Sequence, residues 1–147
     1  MRIKLENHCL VPLIPFLQGM KLKGEKSRAR SKFLALAMKA YASLHESEVD
    51  LLKEYAVLDE NGKPTENPDG SFRLKEESAR EYFTEREKLF KEVAEIEGGT
   101  YTQHFSLMRE ILTEYDEELA GEDASLYDTL CDAFEAEPEK GENDHAG

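Results

Sequence analysis

The residues best suited by number and spacing to bind a partner are the basic ones near the amino terminus. The stretch 19–33, GMKLKGEKSRARSKF, holds six of the 19 Lys and Arg residues of a chain whose formal net charge is −13. These six are Lys21, Lys23, Lys26, Arg28, Arg30 and Lys32. Basic side chains at this density contact the phosphates of nucleic acids or the carboxylates of proteins. The sequence therefore predicts a partner or phosphate contact along residues 21–32.

The charge of the remaining chain disfavours a polyanion as that partner. Residues 1–39 have a charge balance of +7, whereas residues 40–147 have one of −20. The acidic part would repel nucleic acid, and no aromatic residue is interleaved with the basic ones before Phe33. Contact between the basic stretch and the acidic surface of the same chain is therefore the favoured interpretation, and nucleic-acid binding is the alternative.

Histidines, cysteines and carboxylates form no pattern typical of a catalytic or metal site. The four histidines are scattered, and only His45 stands beside a carboxylate, Glu46, at a helical angle that makes a poor chelate. Cys9 and Cys131 lie far apart and suit free thiols. Acidic clusters arise from composition alone in a chain with 32 Asp and Glu residues. We expect no catalytic residue, no metal and no cofactor, and a metal-dependent enzyme is a weaker alternative to a binding protein.

The elements that position these residues are mostly helical. A short helix is predicted over 10–18, ended by Gly19. Ser27 is predicted as the N-cap of a long helix that continues to about Leu58, and a second helix is predicted within 76–96. Apolar residues recur in both at alternating steps of three and four, which is typical of an antiparallel helical hairpin.

Two polar residues interrupt the apolar seams of this hairpin. Glu48 lies in the first helix and Arg86 in the second, so an antiparallel arrangement would bring the two side chains together. The connector 59–74 contains the turn sequences DENG and NPDG, which predict a small β-hairpin at the tip.

Alternating apolar residues outside the hairpin predict a small sheet. Ile3 lies in one alternating segment and Ile96 in another. Two further helices are predicted, one from Thr102 to about Thr113 and one that Asp123 would cap. The fold class is α+β, predominantly helical: a long antiparallel helical hairpin with a β-hairpin tip, beside a small sheet and two further helices.

We expect this fold to form a single domain over residues 1–135, with the helical hairpin at about 27–96. Residues 136–147 contain no large apolar side chain and are predicted to be a disordered acidic tail. The longest apolar run, 9–17, is interrupted by two prolines, so no membrane helix is predicted, and no secretory signal is predicted either.

Five segments in order along the chain resemble a known family. They are MRIKLEN, MKLKGEKSRARSKF, LLKEYAVLDENGKP, VAEIEGGTYTQHF and LAGEDASLYDTLCDAFE. Together they span nearly the whole chain and resemble a family of small uncharacterised proteins of phages and prophages of Gram-positive bacteria. Pro12 and Pro15 depart from the smoother helix expected there. The family has no established activity, so the resemblance implies no site residues, but it favours partner proteins over metabolic chemistry.

The resulting expectation is a phage or prophage accessory protein in the host cytoplasm that binds a viral or host protein without catalysis. Assembly support and interference with a host protein both fit, as does a homo-oligomer. Two alternatives stay open. One is a nucleic-acid-binding accessory protein that uses residues 21–32, and the other is a mimic of DNA that occupies a host DNA-binding protein.

Overall fold

The computed structural model describes residues 2–98 and 102–136. This part of the chain contains five α-helices, one 3-10 helix and a two-stranded sheet. In chain order the elements are β1 (Arg2–Glu6), α1 (Asn7–Gln18), α2 (Gly24–Tyr55), a 3-10 helix (Glu76–Ser78), α3 (Ala79–Lys91), β2 (Val93–Glu97), α4 (Thr102–Glu114) and α5 (Gly121–Ala136). The predicted fold class, predominantly helical α+β, is confirmed. Apart from Ala136, the predicted tail lies outside the described residues.

The chain divides into two compact units, and the division falls within α2. The first unit comprises the residues up to Tyr41 together with those from Val93 onward, and the second comprises Ala42–Glu92. A single domain over residues 1–135 stays a prediction. Neither α2, with its 32 residues, nor any other helix of the described segments combines the length and apolar character of a membrane span.

The predicted small sheet is confirmed in the first unit. β1 pairs with β2 in antiparallel register, and Ile3 lies directly opposite Ile96. Both isoleucines are buried, whereas Val93 is 58% exposed. Residues three apart point to opposite faces of a strand, although they would share a face of a helix. The sheet therefore buries Ile96 and leaves Val93 outside.

Three phenylalanine rings form the centre of the first unit. Phe33 of α2 lies with its ring centroid 5.7 Å from that of Phe105 in α4 and 5.5 Å from that of Phe134 in α5. The rings of Phe105 and Phe134 are 6.1 Å apart, and all three side chains are almost completely buried. Edge-to-face pairs of this kind stabilise a core beyond the area they bury. Three helices that are distant in sequence therefore meet at one cluster.

Helix α1 adds a second apolar layer to this unit despite its two prolines. Leu10, Leu13 and Leu17 are fully buried at helical spacing, and the helix continues through Pro12 and Pro15. Gly19 follows the last helical residue, and its N–H donates to the Pro15 carbonyl at 3.0 Å. The predicted short helix is confirmed, and it begins three residues earlier than expected.

The predicted N-cap roles of Ser27 and Asp123 are wrong. Helix α2 begins at Gly24 and α5 at Gly121, and both glycines have positive φ, +54° and +57°. A glycine adopts this left-handed conformation without the steric penalty of a Cβ, so the turn into each helix is made before the expected cap. Ser27 lies inside α2, where its N–H donates to the Lys23 carbonyl.

The predicted helical hairpin is confirmed in the second unit: α2 ends at Tyr55, before the expected Leu58, and α3 is shorter than the predicted range 76–96. Tyr55 near the end of α2 donates a hydrogen bond to Glu81 near the start of α3 at 3.1 Å. Earlier in α2, Glu48 lies 3.7 Å from Arg86, which is later in α3, and the expected pairing of these two residues is confirmed. The opposite order of these contacts makes the helices antiparallel. Leu58, predicted as the end of the helical seam, lies beyond α2 and is 43% exposed.

The tip of the hairpin is a ring of three short extended segments. Backbone bonds of 2.8 Å run in a cycle: Val57 donates to Arg73, Arg73 donates to Thr65, and Thr65 donates to Val57. The two connecting turns end at Gly62 and Gly70, which have φ of +77° and +89°. The predicted turns and hairpin are confirmed, and the segment after α2 completes the ring.

The apolar cluster of the second unit lies between this ring and the helices. Leu52, Ala56 and Tyr82 are buried, and Tyr55 and Leu74 pack against them. Ala56 forms a bridge with Leu74, which explains why the helix ends at the preceding residue.

Replacing Phe33 should destabilise the first unit more than replacing an exposed residue destabilises the protein. Phe33→Ala removes a buried ring and should lower the free energy of unfolding by about 3–5 kcal/mol. Phe83→Ala, at a position that is 61% exposed, is the control and should change it by about 0.5 kcal/mol or less. The chain contains no tryptophan, so urea unfolding is followed by far-ultraviolet circular dichroism. Equal unfolding midpoints for the two variants would contradict the ring cluster as the centre of this unit.

Candidate functional site

Two of the six basic residues predicted as a contact site are bound within the first unit. Lys26 pairs with carboxylates of α4, and Arg30 hydrogen-bonds to backbone carbonyls. The other four side chains, Lys21, Lys23, Arg28 and Lys32, belong to exposed residues. The basic stretch therefore contains two kinds of residue: Lys26 and Arg30 make contacts within the fold, whereas the other four lie at the surface.

Lys26 joins the start of α2 to the end of α4. Its ammonium group donates to Glu114 and lies 3.8 Å from Glu110. The hydrogen bond to Glu114 is the main cause of the raised pKa of Lys26, so this lysine stays charged at neutral pH. For Lys26, the interpretation of the basic stretch as a contact with the chain's own acidic surface therefore holds.

Arg30 joins α2 to the end of α1. Its guanidinium donates to the carbonyls of Leu17, at 3.1 Å, and Met20, and to the hydroxyl of Ser27 at 3.3 Å. Carbonyls at the carboxyl end of a helix have no partner within that helix, so a cation that binds them also interacts favourably with the helix dipole. Sequence reasoning missed this role because a basic run carries no signal for a backbone contact 10 to 13 residues away.

A cleft of about 500 Å³ lies beside the contact between Lys26 and Glu114, and both residues line it. Its walls come from the end of α1, the turn that follows, the end of α4 and the connector to α5. Its apolar and aromatic lining consists of Pro15, Phe16, Met20, Leu22, Ile111, Tyr115 and Leu119. Lys21 and Lys26 also line it, so the predicted basic stretch contributes one side of the cleft.

Aromatic rings give the cleft a supported wall. Phe16 and Tyr115 have centroids 5.7 Å apart, and Tyr115 lies 5.2 Å from Tyr127. Tyr127 in turn donates its hydroxyl hydrogen bond to the carbonyl of Leu112. Burial raises the pKa of Tyr115, and the negative charges of Glu117 and Asp123 raise it further. The phenol is therefore neutral at physiological pH and lies in a negative local field.

The rim of the cleft is acidic. Asp116, Glu117 and Glu118 of the connector and Asp123 of α5 line it and are exposed. In the segments that the structure describes, none of these four forms an ion pair. Since Lys26 is already bound to Glu114, only Lys21 offsets this charge within the lining. These carboxylates belong to the acidic clusters that the sequence analysis attributed to composition alone, so sequence reasoning missed their position at a cleft.

The chain matches the family described as protein of unknown function (DUF1617) over residues 1–142. It belongs to this family. The membership confirms the uncharacterised family that the five sequence segments indicated. No curated protein and no solved structure matches the chain.

One arrangement in this family member places a thiol near a histidine and a carboxylate. The Sγ of Cys9 lies 3.8 Å from Nδ1 of His8, whose Nε2 lies 3.0 Å from the carboxylate of Glu6. Burial raises the pKa of Cys9, and the charge of Glu6 raises it further. A neutral, buried thiol is a poor nucleophile, so the arrangement does not activate Cys9. Cys9 and Cys131 are both free, as expected.

A metal site has no support in the described residues. Within 2–98 and 102–136, no group of three or more His, Cys, Asp or Glu side chains could hold an ion.

The second unit has an exposed apolar surface of its own. Leu58 and Phe72 are 43% and 41% exposed on the ring at the tip, and Phe83 is 61% exposed on α3. Leu58 bridges to Pro64 and Phe72 to Glu66, so the backbone pairing holds both exposed side chains in place.

Replacing Arg30 should destabilise the protein, although it belongs to the predicted contact segment. Arg30→Gln breaks charged hydrogen bonds to two carbonyls and should lower the free energy of unfolding by about 1.5–3 kcal/mol. The control Arg28→Gln, two residues away and exposed, should change it by about 0.5 kcal/mol or less. Urea unfolding of both variants measures the difference. Equal stability would mean that the Arg30 contacts do not support the junction of α1 and α2.

Proposed function

We propose that this protein is a phage or prophage accessory protein that binds a viral or host protein in the host cytoplasm and does not act as an enzyme. The observation that carries the proposal is the cleft of the first unit, with its aromatic wall and acidic rim. The resemblance of five sequence segments to a phage and prophage family supports the biological setting. Support of viral assembly and interference with a host protein both remain within this proposal.

The size and lining of the cleft support binding. Pockets that bind small molecules have volumes of roughly 300–1,000 Å³, and the cleft, at about 500 Å³, is concave on the same scale. Phe16 and Tyr115 present partly exposed rings whose positions are set by packing. Rigid aromatic side chains are enriched at the positions that contribute most to protein interfaces, because they bury large area with little loss of conformational entropy.

The states of the polar groups at the cleft support binding more than catalysis. Lys26 is held in its charged form by Glu114, and Tyr115 is held in its neutral form by burial and nearby carboxylates. A general base or acid requires a pKa near the working pH. Both shifts move the pKa values of these groups further from neutral pH, so neither group changes its protonation state there. Such groups provide a fixed charge and a fixed shape at an interface.

Removing apolar side chains from the cleft should weaken partner capture. Leu22→Ser combined with Leu119→Ser changes two half-buried side chains of the lining that lie outside helices. In affinity capture from infected host cells, the wild type should recover a specific protein, and the double variant should recover about tenfold less of it. Met38→Ser, at a position 48% exposed on α2, is the matched control and should capture as well as the wild type.

Two outcomes would overturn the proposed function. One is repeated capture that recovers no specific protein with the wild type. The other is equal recovery by the wild type and the double variant, which would remove the cleft from the interaction. Circular dichroism of each variant establishes that any loss is not a loss of folding.

Nucleic-acid binding through residues 21–32 is the alternative, and the exposure of Lys21, Lys23 and Arg28 is the observation in its favour. We expect no binding of fluorescein-labelled single-stranded or double-stranded DNA or RNA at physiological salt, because carboxylates lie beside Lys21 and Lys26 at the cleft and the chain is acidic as a whole. Salt-sensitive binding that Lys23→Glu with Arg28→Glu abolishes would favour the alternative. Lys26 and Arg30 are left unchanged in this test because both support the fold.

A further inference from the structure

We propose that the cleft binds an extended segment of the partner in which Lys or Arg residues flank a large apolar side chain. This inference rests on the proposed function, since it assumes that the ligand is a protein, and it adds the chemistry of the segment that is recognised. Three features of the cleft lead to it: its apolar and aromatic lining, an acidic rim whose charge only Lys21 offsets within the lining, and a connector whose residues 116–118 make no backbone hydrogen bonds in the described part of the chain.

The apolar and aromatic lining of the cleft favours a ligand with a large apolar side chain. Phe16 and Tyr115 lie on one side of the cleft, and Leu22 and Leu119 also line it. All four are half-buried, so each still exposes apolar surface to water. A leucine or phenylalanine of a ligand would remove this surface from water, at about 25 cal/mol for each Å² buried.

The acidic rim selects the flanking charges. Glu117, Glu118 and Asp123 are close enough to the cleft to line it, and the negative field of Glu117 and Asp123 reaches the phenol of Tyr115. Lys26 does not compensate them because it is bound to Glu110 and Glu114. A cationic side chain at the rim would therefore meet carboxylates that have no ion-pair partner in the described part of the chain.

The backbone of the connector favours a peptide over a small cation. Among the described residues, Asp116, Glu117 and Glu118 make no hydrogen bond between backbone groups. They lie in a segment without helix or strand structure between α4 and α5. An extended ligand chain could donate and accept hydrogen bonds along such a segment, as peptides do when they add to an exposed edge.

The charges also exclude competing ligands of the same size. An acidic peptide or a nucleic acid would meet the rim carboxylates at short range, and repulsion of this kind gives specificity against the wrong partner. A second copy of this chain is a different case, because Lys21 and Lys23 flank Leu22 in its own basic segment. Self-association is therefore an outcome that the experiment must distinguish.

The test uses synthetic decapeptides labelled with fluorescein and the full-length protein, with fluorescence anisotropy as the measurement. The first peptide alternates arginine and leucine, the second replaces every arginine with glutamate, and the third replaces every leucine with serine. We expect only the first to bind, with an affinity that falls as salt is added. Binding of the second, or equal binding of the third, would overturn the inference.

Two pairs of charge reversals locate the site. Glu117→Lys with Glu118→Lys should weaken the binding of the arginine–leucine peptide by about tenfold, since two attractive contacts become repulsive. Glu76→Lys with Glu77→Lys is the matched control: it makes the same change in net charge at two adjacent exposed residues of the second unit. This control should bind the peptide with wild-type affinity. An equal loss of affinity in both double variants would mean that the peptide is attracted nonspecifically to an acidic protein, and it would overturn the inference.

The result also separates this inference from the proposed function. In one outcome, capture of the partner is lost when Leu22 and Leu119 are replaced, but the charge reversal at Glu117 and Glu118 changes neither this capture nor the affinity for the arginine–leucine peptide. The proposed function then stands, and the inference of a basic ligand is wrong. If sedimentation shows a dimer that the same reversal dissociates, the occupant is a second copy, which also overturns the inference. If the protein captures no partner from infected cells but binds the arginine–leucine peptide at the cleft, only the proposed cellular role is overturned.

Discussion

The burial of Phe33 between Phe105 and Phe134 is the contact on which the first unit depends. It brings α2, α4 and α5 together at one cluster, and each of these helices contributes residues near one end to the cleft: Lys26, Ile111 with Glu114, and Asp123. Because the rings are fully buried and close-packed, a shift of any one helix would disturb all three. The positions of the Lys26 contacts with α4 and of the connector to α5 follow from this packing.

Charge has two separate uses in this protein. Lys26 and Arg30 hold elements of the first unit together, and each does so through groups far away in the sequence. The carboxylates of the connector, by contrast, have no such internal role in the described residues and lie around an apolar cleft. The excess of acidic residues is therefore more than a means of staying dispersed in water, because part of it surrounds a concave surface that suits a ligand of opposite charge.

The second unit combines a small buried cluster with backbone pairing at its tip. Its buried cluster is small, but the ring of Val57, Thr65 and Arg73 satisfies backbone groups in a cycle, and two positive-φ glycines make its turns. The salt bridge between Glu48 and Arg86 is partly exposed and contributes modestly, so its main effect is to favour one register of α2 against α3. Polar residues within an apolar seam commonly act in this way.

The sequence by itself determined the helices, the two strands and the turns, because these follow from periodicity and from the local chemistry of glycine, proline and asparagine. It also indicated that the Ile3 and Ile96 segments form a sheet and that an antiparallel hairpin would bring Glu48 and Arg86 together. The register that places Ile3 opposite Ile96 and Glu48 beside Arg86 came from the tertiary structure. Only the tertiary structure decided which basic residues are structural, where α2 begins and that a cleft exists. Lys26, Arg30 and Tyr115 all act through partners from other elements, and the distances that join them arise only when the helices pack.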